Sequence, residues 1–298
     1  MSISLPLATE SVRCADFAFS NNVDPGGTAL APDVVVLVEV AEPWPKPVAK
    51  HEAITELVKV AQTHPEQVRL LAAIPHDEDA PRIIAFRRTP TGMSRAEAPY
   101  GQQPADGLRS VLADADGIDV VTGSGRRTML VCTQGSHDVC CGTEGAVFAS
   151  WLEQERQDVE VFRVSHTGGH RFAPTAMSLP DGRMWAYLDP DSASSVIDRT
   201  GDTRSLASRC RGWWGARTGP AQIAERAVFA DLGFDADLID RSVELGHDSA
   251  VVVRVGADIF DLTVEPGRAV PAIACGAFGG EPVKPGQEWL VTSGPTKR

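Results

Sequence analysis

Two cysteines and two histidines form the pattern in this sequence that can do chemistry. Eight residues separate Cys132 from Cys141, and His166 and His170 enclose Thr-Gly-Gly farther along the chain. Thiolates and imidazoles are the soft and borderline ligands that zinc, copper and iron select in proteins. We therefore expect Cys132, Cys141, His166 and His170 to hold a metal centre.

Both ligand pairs follow apolar runs that have the length and composition of strands. Residues 128–131 precede the first cysteine, and residues 159–164 precede the first histidine. A helix between two such strands makes them parallel, and the carboxyl ends of parallel strands meet at one edge of a sheet. The sequence therefore predicts that the two pairs lie together at that edge.

The spacing of the ligands separates two kinds of metal site. Structural zinc sites usually hold their cysteine pair two to four residues apart, whereas here the gap is eight residues. A 2Fe-2S cluster has two irons that each need two protein ligands, which suits one cysteine pair and one histidine pair. The familiar Rieske centre instead interleaves Cys and His on each loop, so this is not a Rieske pattern.

The histidine motif does not fit a hydrolase. A helical metalloprotease motif needs a glutamate directly after its first histidine, and position 167 is threonine. Glycine is unfavourable within a helix, so Gly168 and Gly169 predict a bent loop on which a bulky inorganic group can approach the backbone.

At these residues the chain resembles the sucrase/ferredoxin-like family. The resemblance rests on CTQGSHDVCCG and HTGGHRFAPTAMSLPDG, and extends more weakly to DPGGTA, VEVAEPW, Arg211-Gly212, residues 220–225 and Ala274-Cys275-Gly276. It implies a thioredoxin-like ferredoxin domain in which two cysteines and two histidines bind a 2Fe-2S cluster. The ligands implied for this chain are Cys132, Cys141, His166 and His170.

The implied ligand set has consequences for redox chemistry. Four thiolates around an oxidised cluster give a net charge of about −2, whereas two thiolates and two neutral imidazoles give about 0. We therefore expect a reduction potential above the value of about −400 mV of plant-type ferredoxins, within the Rieske range of about −150 to +300 mV. Each imidazole also has a second nitrogen that can exchange a proton, so the potential is expected to depend on pH.

The bulk composition excludes several classes of partner. The 298 residues carry a formal net charge of −12, and 43% of them are hydrophobic. Binding to nucleic acid or to an anionic membrane needs a concentrated positive field, so neither partner is expected. The N-terminal segment lacks the pattern of a secretory signal, and six cysteines are too few for a disulfide framework in a chain of this size. The predicted location is the cytoplasm.

The order of predicted elements indicates an α/β (α+β) fold with two similar units. The first half shows strands at 32–40, 68–74 and 82–87 with a helix at 51–62 after the first, followed by an irregular connection over 89–107. We expect a thioredoxin-like domain without cluster ligands over residues 1–122. A thioredoxin-like ferredoxin domain with a C-terminal extension is expected over residues 123–298.

The second half repeats this order of strands and helix. It predicts strands at 128–133, 159–164 and 183–188, a helix at 144–157, and a hairpin turn at Leu179-Pro-Asp-Gly between the last two strands. The tail adds a helix at 221–231 and strands at 250–255, 259–264 and 289–292, which the sequence assigns to neither unit.

The remaining reactive side chains have simpler interpretations. Cys14, Cys210 and Cys275 are expected to be small buried hydrophobic residues, and Cys140 to pack within its loop. His137 is expected to be an exposed loop histidine, and Trp213 and Trp214 to pack inward. Arg171 is equally compatible with a surface position and with a positive charge beside the cluster.

Three functions remain open, and a 2Fe-2S electron carrier is the favoured one. Such a carrier or redox protein is expected rather than a catalyst with its own substrate. The alternative is a structural protein with a zinc ion in the two-Cys two-His site, and a thiol-disulfide oxidoreductase is the weakest because no Cys-x-x-Cys is present. No dinucleotide fingerprint or carboxylate pair supports a bound flavin, bound NAD or sugar hydrolysis. Electrons would have to come from a redox partner such as a separate reductase. The donor, the acceptor and the oligomeric state are not specified by the sequence.

Overall fold

The computed structural model describes residues 3–7, 9–10, 12–89, 92–114, 118–119, 127–238, 240–275 and 284–298. These residues form a mixed α/β fold with one ten-stranded sheet, one four-stranded sheet and helices on the sheet faces. No helix in the part of the chain described here is both long and apolar enough to cross a membrane.

The first half of the large sheet has a strand at its centre that is buried along its whole length. The elements are α1 (Cys14–Ser20), β1 (Val34–Glu39), α2 (Glu52–Thr63), β2 (Val68–Ala73), β3 (Arg82–Thr89), β4 (Gly92–Pro99), α3 (Pro104–Ala113) and β5 (Ile118–Asp119). Strand β1 runs parallel to β2 and antiparallel to β3, and β3 runs antiparallel to β4. The predicted β-α-β-β order is confirmed.

The second half repeats the same strand order. Its elements are β6 (Arg127–Cys132), α4 (Ala146–Glu155), β7 (Val159–Val164), β8 (Ala176–Leu179), β9 (Arg183–Trp185), α5 (Pro190–Asp198), α6 (Thr203–Ala207) and β10 (Cys210–Trp213). Strand β6 runs parallel to β7 and antiparallel to β8, and β8 runs antiparallel to β9. The equivalent strands β2 and β7 then pair at Ala73 and Val164, which joins both halves into one sheet.

Alternating residues of the central strand pack on opposite faces of the sheet. Val34, Val36 and Val38 lie in a cluster with residues of α2 and α3. Val35 and Leu37 lie in another cluster, which contains residues of β6 and β7 from the second half. Because a strand buried on both faces has no polar side to present, β1 reads in the sequence as an unbroken apolar run.

The tail forms the second sheet. Helix α7 (Gly219–Leu232) is followed by an antiparallel meander of β11 (Arg241–Leu245), β12 (Ala250–Val255), β13 (Asp258–Ala272) and β14 (Lys284–Lys297). Apolar side chains of α7 pack against the inner face of β12 and β13. The predicted helix and strands of the tail are confirmed, with longer strands than expected.

The irregular connection expected over residues 89–107 is wrong. Strand β4 pairs with β3 in continuous register from Thr89 and Gly92 to Arg82 and Pro99, and Met93 and Ala96 are buried. The sequence pattern did not indicate this strand, because its remaining residues are Gly, Ser, Arg, Glu, Ala and Pro, several of which are depleted in strands. Helix α3 begins with a proline at its first position, where a missing N–H costs nothing.

Two further sequence predictions concern a hairpin turn and the boundary between the two units. The hairpin at Leu179-Pro-Asp-Gly is present, but it joins β9 to β8 and not to the strand at 159–164, because the four-residue β8 was missed. The predicted boundary between 1–122 and 123–298 falls outside the described residues, so this division stays a prediction.

Candidate metal centre

The ends of β6 and β7 bring the predicted ligands to one place. Cys132 is the last residue of β6, and it lies opposite Val164, the last residue of β7, in parallel register. His166 follows two residues after Val164. The prediction that both loops leave parallel strand ends at the same sheet edge is confirmed.

Side chains of the cysteine loop connect it to the histidine loop. The Gln134 side-chain oxygen accepts a hydrogen bond from the backbone N–H of His166 at 3.0 Å, and its amide donates to Pro45 O at 2.8 Å. Beyond this loop the chain forms a π-helical turn over Cys141–Gly145 that continues into α4. The turn brings Cys141 back toward the end of β6.

Three of the four predicted ligands form a compact group. The two sulfur atoms of Cys132 and Cys141 and a ring nitrogen of His166 all lie within 4.8 Å of one another. Both cysteines are fully buried and His166 is half-buried. The Nδ1 atom of His166 is buried and has no hydrogen-bond partner among the described residues. A metal ion or cluster would supply that partner.

The two thiols shift each other's pKa in opposite directions. A hydrogen bond from Cys141 lowers the pKa of Cys132, and His166 lowers it further, whereas burial opposes both. The same hydrogen bond raises the pKa of Cys141, and burial adds to that rise. Desolvation lowers the pKa of His166, so its imidazole is neutral and keeps a lone pair for a metal.

His170 lies beside this group, with its Nδ1 turned toward Asp138 and Cys14. Its ring centroid is 5.7 Å from that of His166, while its Nδ1 lies 3.1 Å from Asp138 Oδ2 and 3.3 Å from the Cys14 sulfur. A carboxylate that accepts from Nδ1–H fixes the imidazole tautomer and leaves Nε2 for a metal, as second-shell carboxylates do in many metal sites. The carboxylate itself is stabilised, because hydrogen bonds from His170 and from the backbone of Cys275 outweigh burial and lower the pKa of Asp138.

The loop between the two histidines is bent, as predicted. Gly168 and Gly169 have φ angles of +79° and +69°, a region that favours glycine. The buried guanidinium of Arg211 donates a hydrogen bond to Gly168 O at 3.1 Å, and a Cβ on Gly169 would lie 2.6 Å from its central carbon. The loop therefore wraps closely around Arg211.

Comparison with protein families now identifies the chain. A family model described as sucrase/ferredoxin-like matches residues 25–212, which is more than half of the 298 residues. The chain belongs to the sucrase/ferredoxin-like family. Comparison with curated proteins and with solved structures finds no match. The matched segment contains all four predicted ligands.

A second group of thiols lies partly outside the segment that the sucrase/ferredoxin-like model matches. The sulfur atoms of Cys14 and Cys140 are 3.7 Å apart, those of Cys140 and Cys275 3.4 Å, and those of Cys275 and Cys14 3.7 Å. Asp138 belongs to the same group, with Oδ1 at 3.3 Å from the Cys14 sulfur. The sequence interpretation of these cysteines as packing residues is incomplete, since they are brought together by segments far apart in the chain.

Burial of the individual cysteines follows the sequence prediction except at one position. Cys14, Cys140 and Cys210 are fully buried, whereas Cys275 is half-buried. Cys210 lies apart from both groups, where its sulfur is 3.9 Å from a nitrogen of Arg183.

His137 is not the exposed loop residue that the sequence suggests. Its ring stacks on that of His166 with centroids 3.5 Å apart and planes 13° apart, and it is half-buried. Desolvation, with His166 and Lys46, lowers the pKa of His137 to about 3. Neutral rings stack without charge repulsion, so His137 covers one face of His166.

Three arginines lie near the two cysteine groups, with the charge of Cys132 acting on Arg69 and Arg211 and that of Cys14 acting on Arg171. Arg69 donates to His166 O at 2.9 Å, Arg211 braces the glycine loop, and Arg171 lies over the Phe172 ring at 4.4 Å. Burial lowers the pKa of all three, and the charge of Cys132 counteracts this for Arg69 and Arg211. No carboxylate among the described residues lies within 4.0 Å of these guanidiniums, so their charge is available to a group bound through thiolates.

The two tryptophans pack inward, as predicted. Trp213 and Trp214 are both buried, and Arg241 lies over the Trp213 ring at 4.3 Å. They contribute to the core and leave no exposed aromatic loop at this position.

Proposed function

We propose that this member of the sucrase/ferredoxin-like family is a redox protein that holds a 2Fe-2S cluster through Cys132, Cys141, His166 and His170. The observation that carries the proposal is the meeting of Cys132, Cys141 and His166 within 4.8 Å at the end of two parallel strands. His170 follows on the same loop as His166, with its ring at 5.7 Å from that ring.

The donor set fits such a cluster. Two buried thiols, a neutral imidazole with an unpartnered buried nitrogen and a second imidazole held by Asp138 are ligands of the types that 2Fe-2S centres use. When bound, the cluster would supply reversible one-electron transfer. The protein would orient the ligands, exclude bulk water from the two fully buried sulfurs and place the arginine charges nearby.

The proposed fold detail is that both halves of the large sheet are thioredoxin-like units, the second a thioredoxin-like ferredoxin domain. The support is the repeated arrangement in which a strand lies between a parallel and an antiparallel neighbour, as β1 and β6 both do. Only the second unit carries the ligand set. The first unit would then serve packing and partner recognition.

The surroundings of the ligands favour a high reduction potential. Neutral imidazoles in place of two thiolates make the centre less negative, and Arg69 and Arg211 add positive charge near Cys132. We expect a value within the Rieske range of about −150 to +300 mV. The potential is expected to fall as pH rises, because reduction favours protonation of the histidine ligands.

An electron carrier needs access for a partner and no substrate pocket. His137 and His166 line a surface groove with apolar residues of α2 and β2, which gives a partner a route to the ligand side of the site. We propose that a separate reductase delivers electrons there. None of the six cysteines forms a disulfide, which agrees with the reducing environment of the cytoplasm.

A zinc-stabilised structural protein is the second candidate, and one observation favours it. Three ligand atoms within 4.8 Å of one another also suit a single tetrahedral ion. Zinc is d10 and colourless, whereas an oxidised ferric cluster absorbs visible light, so colour and metal content separate the two candidates.

The test is anaerobic purification followed by assays of iron, sulfide and zinc, visible absorption, and EPR after dithionite reduction. We expect a red-brown protein with about two irons per chain and a reduced EPR signal. His166→Cys should change that signal, whereas the matched control His247→Cys, at an exposed histidine outside the site, should leave it unchanged. A colourless protein in which His166→Cys alters only the zinc content would support the zinc candidate and overturn the cluster.

A further inference from the structure

The second group of cysteines has the geometry of a metal site of its own. A zinc ion bound to sulfur at about 2.3 Å in a tetrahedron places neighbouring sulfurs about 3.8 Å apart. The three sulfur separations among Cys14, Cys140 and Cys275 are 3.7, 3.4 and 3.7 Å. Three thiols therefore already form one face of such a tetrahedron, with its centre beside them.

A carboxylate supplies the fourth position. Asp138 Oδ1 lies 3.3 Å from the Cys14 sulfur, and all four candidate ligand atoms lie within 4.8 Å of one another. His170 contacts both Cys14 and Asp138. It is not a member of the four-residue group, in which all ligand atoms lie within 4.8 Å of one another. His170 can therefore remain a ligand of the first site when a metal ion occupies the second group.

We propose that Cys14, Cys140 and Cys275, with Asp138, bind a structural zinc ion at a site separate from the proposed cluster. Sulfur-rich ligands with one oxygen or nitrogen in a tetrahedron are typical of zinc. This site lies beyond the proposed function, because it shares no ligand with the four residues assigned to the cluster.

A disulfide explains the group less well than a metal does. A disulfide needs two sulfurs about 2.05 Å apart and uses two cysteines, so it would leave the third thiol unused. Here each of the three sulfurs is at a nearly equal distance from the other two. Three equivalent neighbours are the pattern that a shared central ion imposes.

Backbone contacts at the sulfurs and carboxylate also fit a closed site. Cys14 N–H donates to the Cys275 sulfur at 3.5 Å, and Cys140 N–H and Cys275 N–H each donate to Asp138 at 3.0 Å. Backbone N–H groups stabilise the negative charge that thiolate and carboxylate ligands carry. Zinc would enter from the side of half-buried Cys275, and the three thiol protons would leave to solvent.

A zinc ion here would join three distant parts of the chain. Cys14 is in the seven-residue helix α1, Cys140 ends the loop before the π-helical turn, and Cys275 follows the end of β13. So short a helix is marginal without tertiary support. The ion would also fix Asp138, whose other oxygen holds His170, so it would act on the first site as a structural support.

Zinc and iron are to be measured on the same samples of the anaerobically purified full-length protein, with four variants beside the wild type. We expect about one zinc per chain in the wild type, lost in Cys14→Ala and in Cys275→Ala. The matched control Cys210→Ala removes a buried cysteine outside both groups and should keep the zinc. Cys275→His, which offers a different zinc ligand, should restore it.

The first site is distinguished by Cys132→Ala. This variant should lose iron and keep zinc. Its iron content tests the cluster proposal whatever the outcome at the second group, so failure of the cluster proposal is visible separately. If the wild type contains zinc that only Cys132→Ala removes, the ion belongs to the first site and the proposal for the second is wrong.

Zinc-edge X-ray absorption on the wild type avoids any variant that folds poorly. Three sulfurs at about 2.3 Å and one oxygen at about 2.0 Å are expected. Two sulfurs with two nitrogens, no zinc, or a disulfide among the three cysteines in the reduced protein would each overturn the proposal.

Discussion

A methyl group on Gly145 would lie 2.1 Å from the carbonyl oxygen of Cys132. The π-helical turn that contains Gly145 therefore packs directly on the end of β6, without the room that any side chain would need. This contact brings Cys141, at the start of the turn, next to Cys132. The proposed cysteine pair thus depends on a glycine that carries no chemistry of its own.

Gly145→Ala is expected to destabilise the protein and to reduce its metal content. Relieving a contact of 2.1 Å with a backbone atom requires the turn to move away from β6, and overpacking of this kind costs about 1–3 kcal/mol. Thermal unfolding and an iron assay check this prediction. The matched control is Gly246→Ala, whose new methyl group would be 3.4 Å from Ala250 Cβ in ordinary contact. Equal melting temperatures and iron contents in the two variants would contradict the role given to Gly145.

Arg211→Met is expected to lower the reduction potential of the proposed cluster. Arg211 is fully buried, and the thiolate charges of Cys132 and Cys141 act on its guanidinium. A unit charge roughly 10 Å away changes the free energy of adding an electron by about 1–2 kcal/mol at an effective dielectric constant of about 20. Redox titration measures the change, and removal of the positive charge makes the reduced state less favourable.

The control for Arg211 is Arg217→Met, an exposed arginine paired with Asp33. Its effect should be within the error of the titration, because exposed charges are screened. A potential that rises or stays constant in Arg211→Met would show that the buried guanidinium only braces the loop at Gly168.

The sequence predicted the elements that carry strong local signals. Strand β1 is predictable because a strand buried on both faces is continuously apolar. Helix α2 is predictable because its apolar residues recur every three or four positions. The same reasoning placed Cys132 and His166 at one sheet edge, because parallel pairing follows from a helix between two strands. Strands β4 and β8 were missed because one is rich in weak strand formers and the other has only four residues.

The second group of cysteines could not have been found from spacing. Cys14 and Cys275 are 261 residues apart, and no local motif connects either of them with Cys140. Their meeting depends on how α1 and the end of β13 pack on the ligand loop, which is a property of the tertiary fold. The signal available in the sequence was the acidic residue in the cysteine loop, Asp138, which was not interpreted as a ligand or as a partner of His170.

Asp237→Asn is expected to destabilise the folded state at neutral pH. Asp237 is fully buried between Arg183, with Nη2 at 2.6 Å, and Arg241. Burial alone raises the pKa of Asp237, but the two guanidiniums outweigh it and hold that pKa below its ordinary value. Removing the carboxylate charge leaves the buried guanidiniums of Arg183 and Arg241 with less compensating negative charge. The expected loss in the free energy of unfolding is about 3 kcal/mol. Urea unfolding at neutral pH measures the loss.

The same carboxylate gives the protein a defined acid sensitivity. Because the folded pKa lies below the unfolded value of about 3.9, the stabilisation is present above about pH 3.9 and is lost as pH falls through the folded pKa. Asp237→Asn should therefore flatten the fall in unfolding free energy in that acidic range. The control Asp258→Asn breaks an exposed ion pair with Lys297 and should cost less than about 1 kcal/mol. If the unfolding free energy falls with decreasing pH at the same slope in the wild type and in Asp237→Asn, the Asp237 carboxylate does not contribute to the acid sensitivity.

The reduction potential of the proposed cluster is expected to fall as pH rises. A reduced centre is more negative than an oxidised one, so it holds a proton on the second nitrogen of a histidine ligand more tightly, and reduction takes up that proton. A higher pH then makes reduction less favourable, by at most about 59 mV per pH unit for one proton and one electron. Redox titration between about pH 6 and 10 measures the slope. His166→Cys should reduce it, since one of the two imidazoles is replaced by a thiolate, whereas His247→Cys should keep it. A potential that is constant over this range in the wild type would mean that neither ligand imidazole exchanges a proton with reduction.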